Sequence, residues 1–258
     1  SISSDGTRVA IGAPSNEAGG YQSGHVRIYD WDGIGWTQVG SDIDGEATDA
    51  NLHLGKSVSL SSDGNRVAVG ITGQPGYTRV YSWDGNSWTQ TGSNIDEEDE
   101  EDGVGYATAL SSDGNRVAIG AKYNDGSDND NWAGHVRIYD WDGTNWAQVG
   151  SDIDGEASDD HSGGAVALSS DGNRVVIGSP NNDGNGNNAG HVRVYELVGI
   201  GLNEDSAFKP QTKAELQTAV DLWYSDSVYA IGTYGQINSW DVSLITDMSS
   251  LFQGKNTF

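Results

Sequence analysis

Cysteine is absent from all 258 residues, so neither a disulfide framework nor a thiolate metal centre is available to this chain. Basic residues are scarce: 13 Lys and Arg stand against 38 Asp and Glu, a formal charge of −25. That balance disfavours nucleic acid and anionic membranes as partners and favours cations or basic surfaces. No apolar run approaches the roughly 18 residues of a membrane span, so no membrane insertion is expected. Helical periodicity is missing from the first three quarters of the chain. An initiator Met and a signal peptide are also missing, and the chain opens at Ser1 inside a repeat. It therefore reads as a piece of a longer protein, cut at both ends.

What the chain does have is self-similarity. Ser-Ser-Asp-Gly begins at Ser3, Ser61, Ser111 and Ser169, at intervals of 58, 50 and 58 residues. An Arg-Ile/Val-Tyr-X-Trp-Asp-Gly string keeps step with it, from Arg27, Arg79 and Arg137. A period of this size marks a repeat architecture, in which one unit cannot bury its apolar face without a stacked neighbour. The third repeat is the fullest, with strand-like runs at 106–110, 116–120, 135–139 and 146–150. Val117 and Ile119 alternate with Ala118 and Gly120, which is the period of two expected of a strand. Asp113-Gly114 and Asp142-Gly143 are tight-hairpin signals. The spacing predicts an all-β, antiparallel fold with four strands per unit, and such units suit the radial blades of a β-propeller. Unit one has only Ile2 where its first strand belongs, and unit four stops at Tyr195-Glu196 without the Trp-Asp-Gly hairpin. The expectation is a partial propeller, an arc of about four blades with the first and last incomplete.

Val9-Ala10-Ile11-Gly12-Ala13-Pro14 followed by Gly24-His25-Val26-Arg27-Ile28-Tyr29 resembles the FG-GAP repeats of integrin-like propellers, over residues 1–198. The family's calcium residues have no counterpart here, because the first connection of each unit is only Ser-Ser-Asp-Gly-X. A linker is expected over 199–207. From 208 to 258 a small α+β segment follows: Thr212-Lys213-Ala214-Glu215 has capping-box spacing, and Leu216, Ala219, Val220 and Trp223 share one helical face. Ile237 to Ser243 (Ile-Asn-Ser-Trp-Asp-Val-Ser) and Thr246 to Phe252 (Thr-Asp-Met-Ser-Ser-Leu-Phe) resemble the start of a BspA-like leucine-rich surface repeat, over about 205–258. Both resemblances imply a secreted or cell-surface setting.

In an up-and-down blade the first and third connections emerge at one end, and here both are short. The long, uneven connections, 13–24, 121–134 and 179–190 within units and 41–55, 93–105 and 151–163 between them, must then share the opposite face. Function usually sits on such loops. They carry most of the acids, so that face is expected to be electronegative. Within it, Asp42, Asp44, Glu46 and Asp49, and Asp152, Asp154, Glu156 and Asp159, have the alternating oxygen character that suits Ca²⁺. Asn124-Asp125, Asp128 and Asp130 form a third group. The simpler reading of each is a solvated loop or edge. The run of six acids from Glu97 to Asp102 reads as solvated loop. The Trp pairs Trp31/Trp36, Trp83/Trp88 and Trp141/Trp146 recur in every complete hairpin, which argues for blade packing. His25, His135 and His191 share a column filled by Tyr77 in unit two, and so read as framework. Eight of the ten cations in 1–198 are Arg in two repeat columns; the others are Lys56 and Lys122.

No nucleophile–base pair, phosphate loop or zinc spacing stands out, so no catalytic residue is assigned and a non-enzyme is expected. The leading expectation is a recognition or adhesion module that binds an extracellular protein or glycan through its acidic loops, with Ca²⁺ as the assisting ion. The alternative is the propeller portion of a secreted polysaccharide-acting enzyme.

Overall fold

A computed structural model describes residues 1–46, 51–97, 102–125, 132–197, 209–225, 242 and 244–246. The chain divides into two compact units, Ser1–Glu196 and Leu197–Phe258.

The first unit is all-β, a partial propeller of four successive sheets. Blade one holds β1 (Arg8–Ala13), β2 (His25–Trp31), β3 (Trp36–Gln38) and β4 (Ile43–Asp44). Blade two holds β5 (Ser57–Leu60), β6 (Arg66–Ile71), β7 (Tyr77–Trp83), β8 (Trp88–Gln90) and β9 (Ile95–Asp96). Blade three holds β10 (Val104–Leu110), β11 (Arg116–Ala121), β12 (His135–Trp141), β13 (Trp146–Gln148) and β14 (Ile153–Asp154). Blade four holds β15 (Ala165–Leu168), β16 (Arg174–Ser179) and β17 (His191–Glu196). Every named pairing within the blades is antiparallel, and the order in blade three is β10-β11-β12-β13, with β14 also on β12. The outermost strand is thus split in two. In blade one its halves meet opposite ends of β2, Trp36 facing Trp31 and Asp44 facing His25. As the repeat spacing predicts, blade one starts with only an Ile2–Val9 bridge, and blade four has three strands.

Each residue of the Ser-Ser-Asp-Gly turn has a task. In blade two Asp63 accepts from the Ser61 hydroxyl (2.6 Å) and the Asn65 amide (3.0 Å), an Asx-type turn. Gly64 takes φ +69°, which a side chain resists. The second serine joins blades through backbone: Ser4 N–H donates to Ser62 O, Ser62 N–H to Ser112 O and Ser112 N–H to Ser170 O, at 2.8–2.9 Å. The first Arg column reinforces this rail. Arg116 grips Asp140 with two parallel bonds (2.5 and 2.7 Å) and reaches Gly172 O of the next blade (3.0 Å). Because a lysine cannot reproduce that fork, Arg116→Lys is expected to cost about 1–2 kcal/mol. Thermal melting checks this, with an expected drop of roughly 3–6 °C.

The core lies between blades. Val26 and Ile28 of blade one pack with Leu60, Val67, Val69 and Tyr81 of blade two. Ala68 and Val80 of blade two pack with Leu110, Val117, Ile119 and Trp146 of blade three. The Trp83/Trp88 and Trp141/Trp146 pairs (ring centroids 5.4–5.5 Å apart) join this packing, with Trp88 Nε1 donating to Val39 O and Trp146 Nε1 to Thr91 O of the preceding blade, whereas the Trp31/Trp36 pair of blade one is exposed.

In the second unit the described element is α1 (Lys213–Ser225). Thr212 Oγ1 accepts from the Glu215 amide (3.2 Å), while the Glu215 carboxylate reaches back to the Gln211 amide, one residue earlier than a strict capping box requires. Leu216, Ala219 and Val220 are buried. The linker and most of the residues that carry the leucine-rich likeness lie outside the described residues. No helix among the described residues is long and apolar enough to cross a membrane.

Candidate functional site

Short strands joined by tight turns push all chain excess to one end of the blades, where the long connections meet. Those within blades and those between blades interlock: His53 N–H donates to Gln22 O and Ser162 N–H to Ala133 O. Among them lies a cavity of about 650 Å³, lined from three blades. Pro14 comes from blade one, Thr72 to Gln74 from blade two, and Tyr106, Tyr123 and Trp132 from blade three, with His53 and Lys56 from the connection between the first two. Its size suits a drug-sized or oligosaccharide ligand.

The lining, together with Lys122 and His161 that touch its aromatic rings, is unlike the rest of the surface. Lys56 Nζ lies 4.9 Å from the Tyr106 ring centre and Lys122 Nζ 3.7 Å, with Lys122 also 4.4 Å from the Tyr123 ring. These are the two lysines of the blades, and among the described residues no carboxylate forms a salt bridge with either. Burial works against the Lys122 ammonium, but hydrogen bonding to Tyr106 and Tyr123 outweighs it, so its pKa is raised and it stays charged at neutral pH. Hydrogen bonding to Lys122 in turn holds the Tyr106 phenol below its ordinary value. Tyr123 sits edge-on to Tyr106, Trp132 and His161, with ring centres 5.5–6.2 Å apart. Half of the Trp132 surface is open. His161 Nδ1 is 2.8 Å from Asn181 Nδ2, and its buried Nε2 has no hydrogen-bond partner among the described residues. An ammonium group in a cavity walled by aromatic rings can hold an anion and stack a flat or sugar face beside it. One signal pointed here in the sequence: Lys56 and Lys122 are the cations that belong to no Arg column.

The acidic candidates fall elsewhere. Asp42 accepts hydrogen bonds from Arg27 Nε and Nη2 (2.8–3.0 Å) and one from Gln38 (2.6 Å). Asp152 repeats this with Arg137 (3.1 Å) and Gln148 (2.6 Å). Glu46 pairs with Arg79 of the next blade at 2.8 Å, and Glu156 pairs with Arg193. Asp44 and Asp154 stand exposed on β4 and β14, and Asp159 is exposed at φ +66°. Asp49 lies outside the described residues, as do Asp128 and Asp130, while Asp125 accepts from the Trp132 amide. The seven described carboxylates assigned to Ca²⁺ thus fall in two groups, one at blade one and one at blade three, with four of them in Arg ion pairs. The loop face is not uniformly electronegative, since the lysine-bearing cavity opens within it.

No family model matches this chain, and no curated protein is similar to it in sequence. The FG-GAP and BspA-like likenesses thus rest on their motifs. Among solved structures, a protein of Bacteroides uniformis described as a "putative 6-phosphogluconolactonase" is similar at a TM-score of 0.48 and 12% identity, over 76% of this chain and 49% of that one. This chain spans about half the length of that protein, and likeness of this degree carries no residue or activity across. One expectation is nevertheless not kept. A non-enzyme was expected because repeat scaffolds commonly bind, whereas the similar solved structure is described as that of an enzyme. Non-catalysis is withdrawn.

Proposed function

We propose that the loop-face cavity binds a carboxylated sugar, one or two acidic residues at the end or within a strand of a glycan. The observation that carries this is the convergence of Lys56 and Lys122 on the Tyr106 ring in a chain of net charge −25. Ammonium groups without carboxylate partners among the described residues supply the charge recognition, and the half-exposed Trp132 supplies stacking for a sugar ring. The surrounding acidity repels polyanions at long range, which favours a ligand with few charges over nucleic acid. An extracellular setting, where carboxylated polysaccharides occur, belongs to the same proposal.

The test is calorimetric titration with a galacturonate trisaccharide and with a neutral galactose trisaccharide. The charged probe is expected to bind and the neutral one to bind at least tenfold more weakly. Lys122→Ala and Trp132→Ala should each weaken the charged probe by roughly 5–50-fold, one charge-assisted contact or one stacked ring being worth about 1–2.3 kcal/mol. Equal binding of both probes, or lysine variants that bind as wild type, would sink the reading. A second reading follows from Tyr106: a phenol of lowered pKa beside two ammonium groups can exchange a proton with a bound sugar. Release of new chain ends from polygalacturonate, lost in Tyr106→Phe with binding retained, would establish it.

A further inference from the structure

We propose that blades one and three each hold a first-row divalent cation of the Zn²⁺ class, one between His25, Asp42 and Asp44 and the other between His135, Asp152 and Asp154. The ligand atoms within each group lie within 4.8 Å of one another. Strand register brings them together. Asp44 faces His25 across β2 and β4, and Asp154 faces His135 across β12 and β14, while the flanking pairs Val26–Ile43 and Val136–Ile153 are buried and fix the alignment.

The histidine itself points to a missing ligand. His25 is 6% exposed, and its Nδ1 is buried with no hydrogen-bond partner among the described residues. It faces Asp42 Oδ2 at 3.8 Å, and His135 Nδ1 faces Asp152 Oδ2 at 3.7 Å. These separations are too long for hydrogen bonds, and a buried ring nitrogen left without a partner is costly. They suit two atoms that share an ion, since ligands about 2.0–2.2 Å from zinc lie roughly 3–4 Å apart. The exposed Asp44 and Asp154 side chains can supply the remaining closure. Arg27 with Gln38, and Arg137 with Gln148, hold Asp42 and Asp152 in place, as outer partners of metal-bound carboxylates do. A carboxylate has about four acceptor positions, so these bonds leave room for an ion.

The second blade supplies a comparison inside the chain. Tyr77 stands where His25 and His135 stand, and Asn94 where Asp42 and Asp152 stand, so two of the three ligands are replaced together. There the Arg79 guanidinium lies 4.8 Å from the Tyr77 ring centre and bonds Asn94 at 2.8 Å, filling the place. One imidazole nitrogen and two carboxylates suit Zn²⁺, Mn²⁺ or Co²⁺, whereas Ca²⁺ seeks six to eight oxygens.

The test uses the full chain, stripped with chelator, titrated with ZnCl₂ in excess MgCl₂ and analysed for retained metal after dialysis. Two ions per chain are expected, one in His25→Ala and none at these sites in His25→Ala combined with His135→Ala. Asp44→Asn with Asp154→Asn changes exposed positions only and should weaken affinity at least tenfold. Tyr77→His with Asn94→Asp should add a third ion. Failure to retain zinc, or unchanged stoichiometry and affinity in the His and Asp variants, would overturn the proposal.

Discussion

Replacing Gly120 by alanine is expected to lower the melting temperature by roughly 10 °C, a steep loss for a single methyl. A β-carbon there would stand 2.0 Å from Gly163 O and 2.9 Å from its carbonyl carbon, across the joint between blades three and four. The obstacle is backbone, so it cannot swing aside as a side chain does. Gly163 is itself pinned, with the Val136 side chain 3.1 Å from its own β position. Relief requires the blades to part, which opens the apolar contact that stabilises both. Overpacking commonly costs about 1–3 kcal/mol, and a clash between two main chains belongs at or above the top of that range. Gly12 against Gly55 and Gly70 against Gly105 repeat the 2.0 Å approach, so Gly70→Ala should behave alike. Gly35 has nothing within 4 Å of its β position and φ outside the left-handed region. Gly35→Ala should therefore melt within about 2 °C of wild type. If Gly120→Ala melts as Gly35→Ala does, the close joint is not what spaces the blades.

Acid is expected to undo the sheets cooperatively between about pH 4 and pH 2. The turn aspartates Asp63, Asp113 and Asp171 sit below their ordinary pKa; burial opposes this for Asp63 and Asp113, and bonds from Ser61 and Asn65, or Ser111 and Asn115, outweigh it. Asp5 is lowered to about 2, chiefly by the Thr7 amide. Asp32, Asp84 and Asp142 are lowered by the amides of their own hairpins, and Asp42 by Arg27. A carboxylate depressed in the folded state adds stability above its unfolded value near 4 and loses it as pH falls through the folded value. His135, lowered by burial, acts earlier: below about pH 6.5 the unfolded chain takes a proton that the folded chain resists, so stability declines with it. Relief of repulsion among 38 acids works the other way. That repulsion is long-range and screened by salt, whereas the turn bonds are local and are not. In 0.5 M NaCl the acid transition should therefore remain, with melting roughly 10 °C or more lower at pH 2.5 than at pH 5. Circular dichroism melts over this range decide it; sheets that persist unchanged to pH 2 would remove the turn aspartates from the account.

The blades were legible because their cause is local and repeated. Val117, Ile119 and Asp113-Gly114 specify strand and turn whatever lies beyond them, and four copies averaged out the noise. The split outer strand was not, since Val39 to Asp42 offers no signal distinguishing a bulge from a loop. The acidic loops were located at the correct end, but the Arg partners of their carboxylates were not foreseen. Arg27 and Asp42 are 15 residues apart and Arg79 and Glu46 belong to different blades, so pairing emerges only from register and stacking. The lysine cavity needs three blades to exist. Its one trace in the sequence was negative, two cations outside the Arg columns.

The serine rail bears on how such a chain changes over generations. Its links are drawn between peptide groups, Ser62 N–H to Ser112 O and so on, and the side chains that add to them, such as Ser112 and Asn115, belong to the repeated turn itself. Any blade that keeps the turn presents the same donor and the same acceptor as every other. The joint is therefore a generic coupling, and recombination between repeats can duplicate, delete or reorder blades without redesigning the seam. Divergence is then free to concentrate at the far end, where each blade contributes a different wall to a shared cavity, and where a change in blade order would itself create a new binding site.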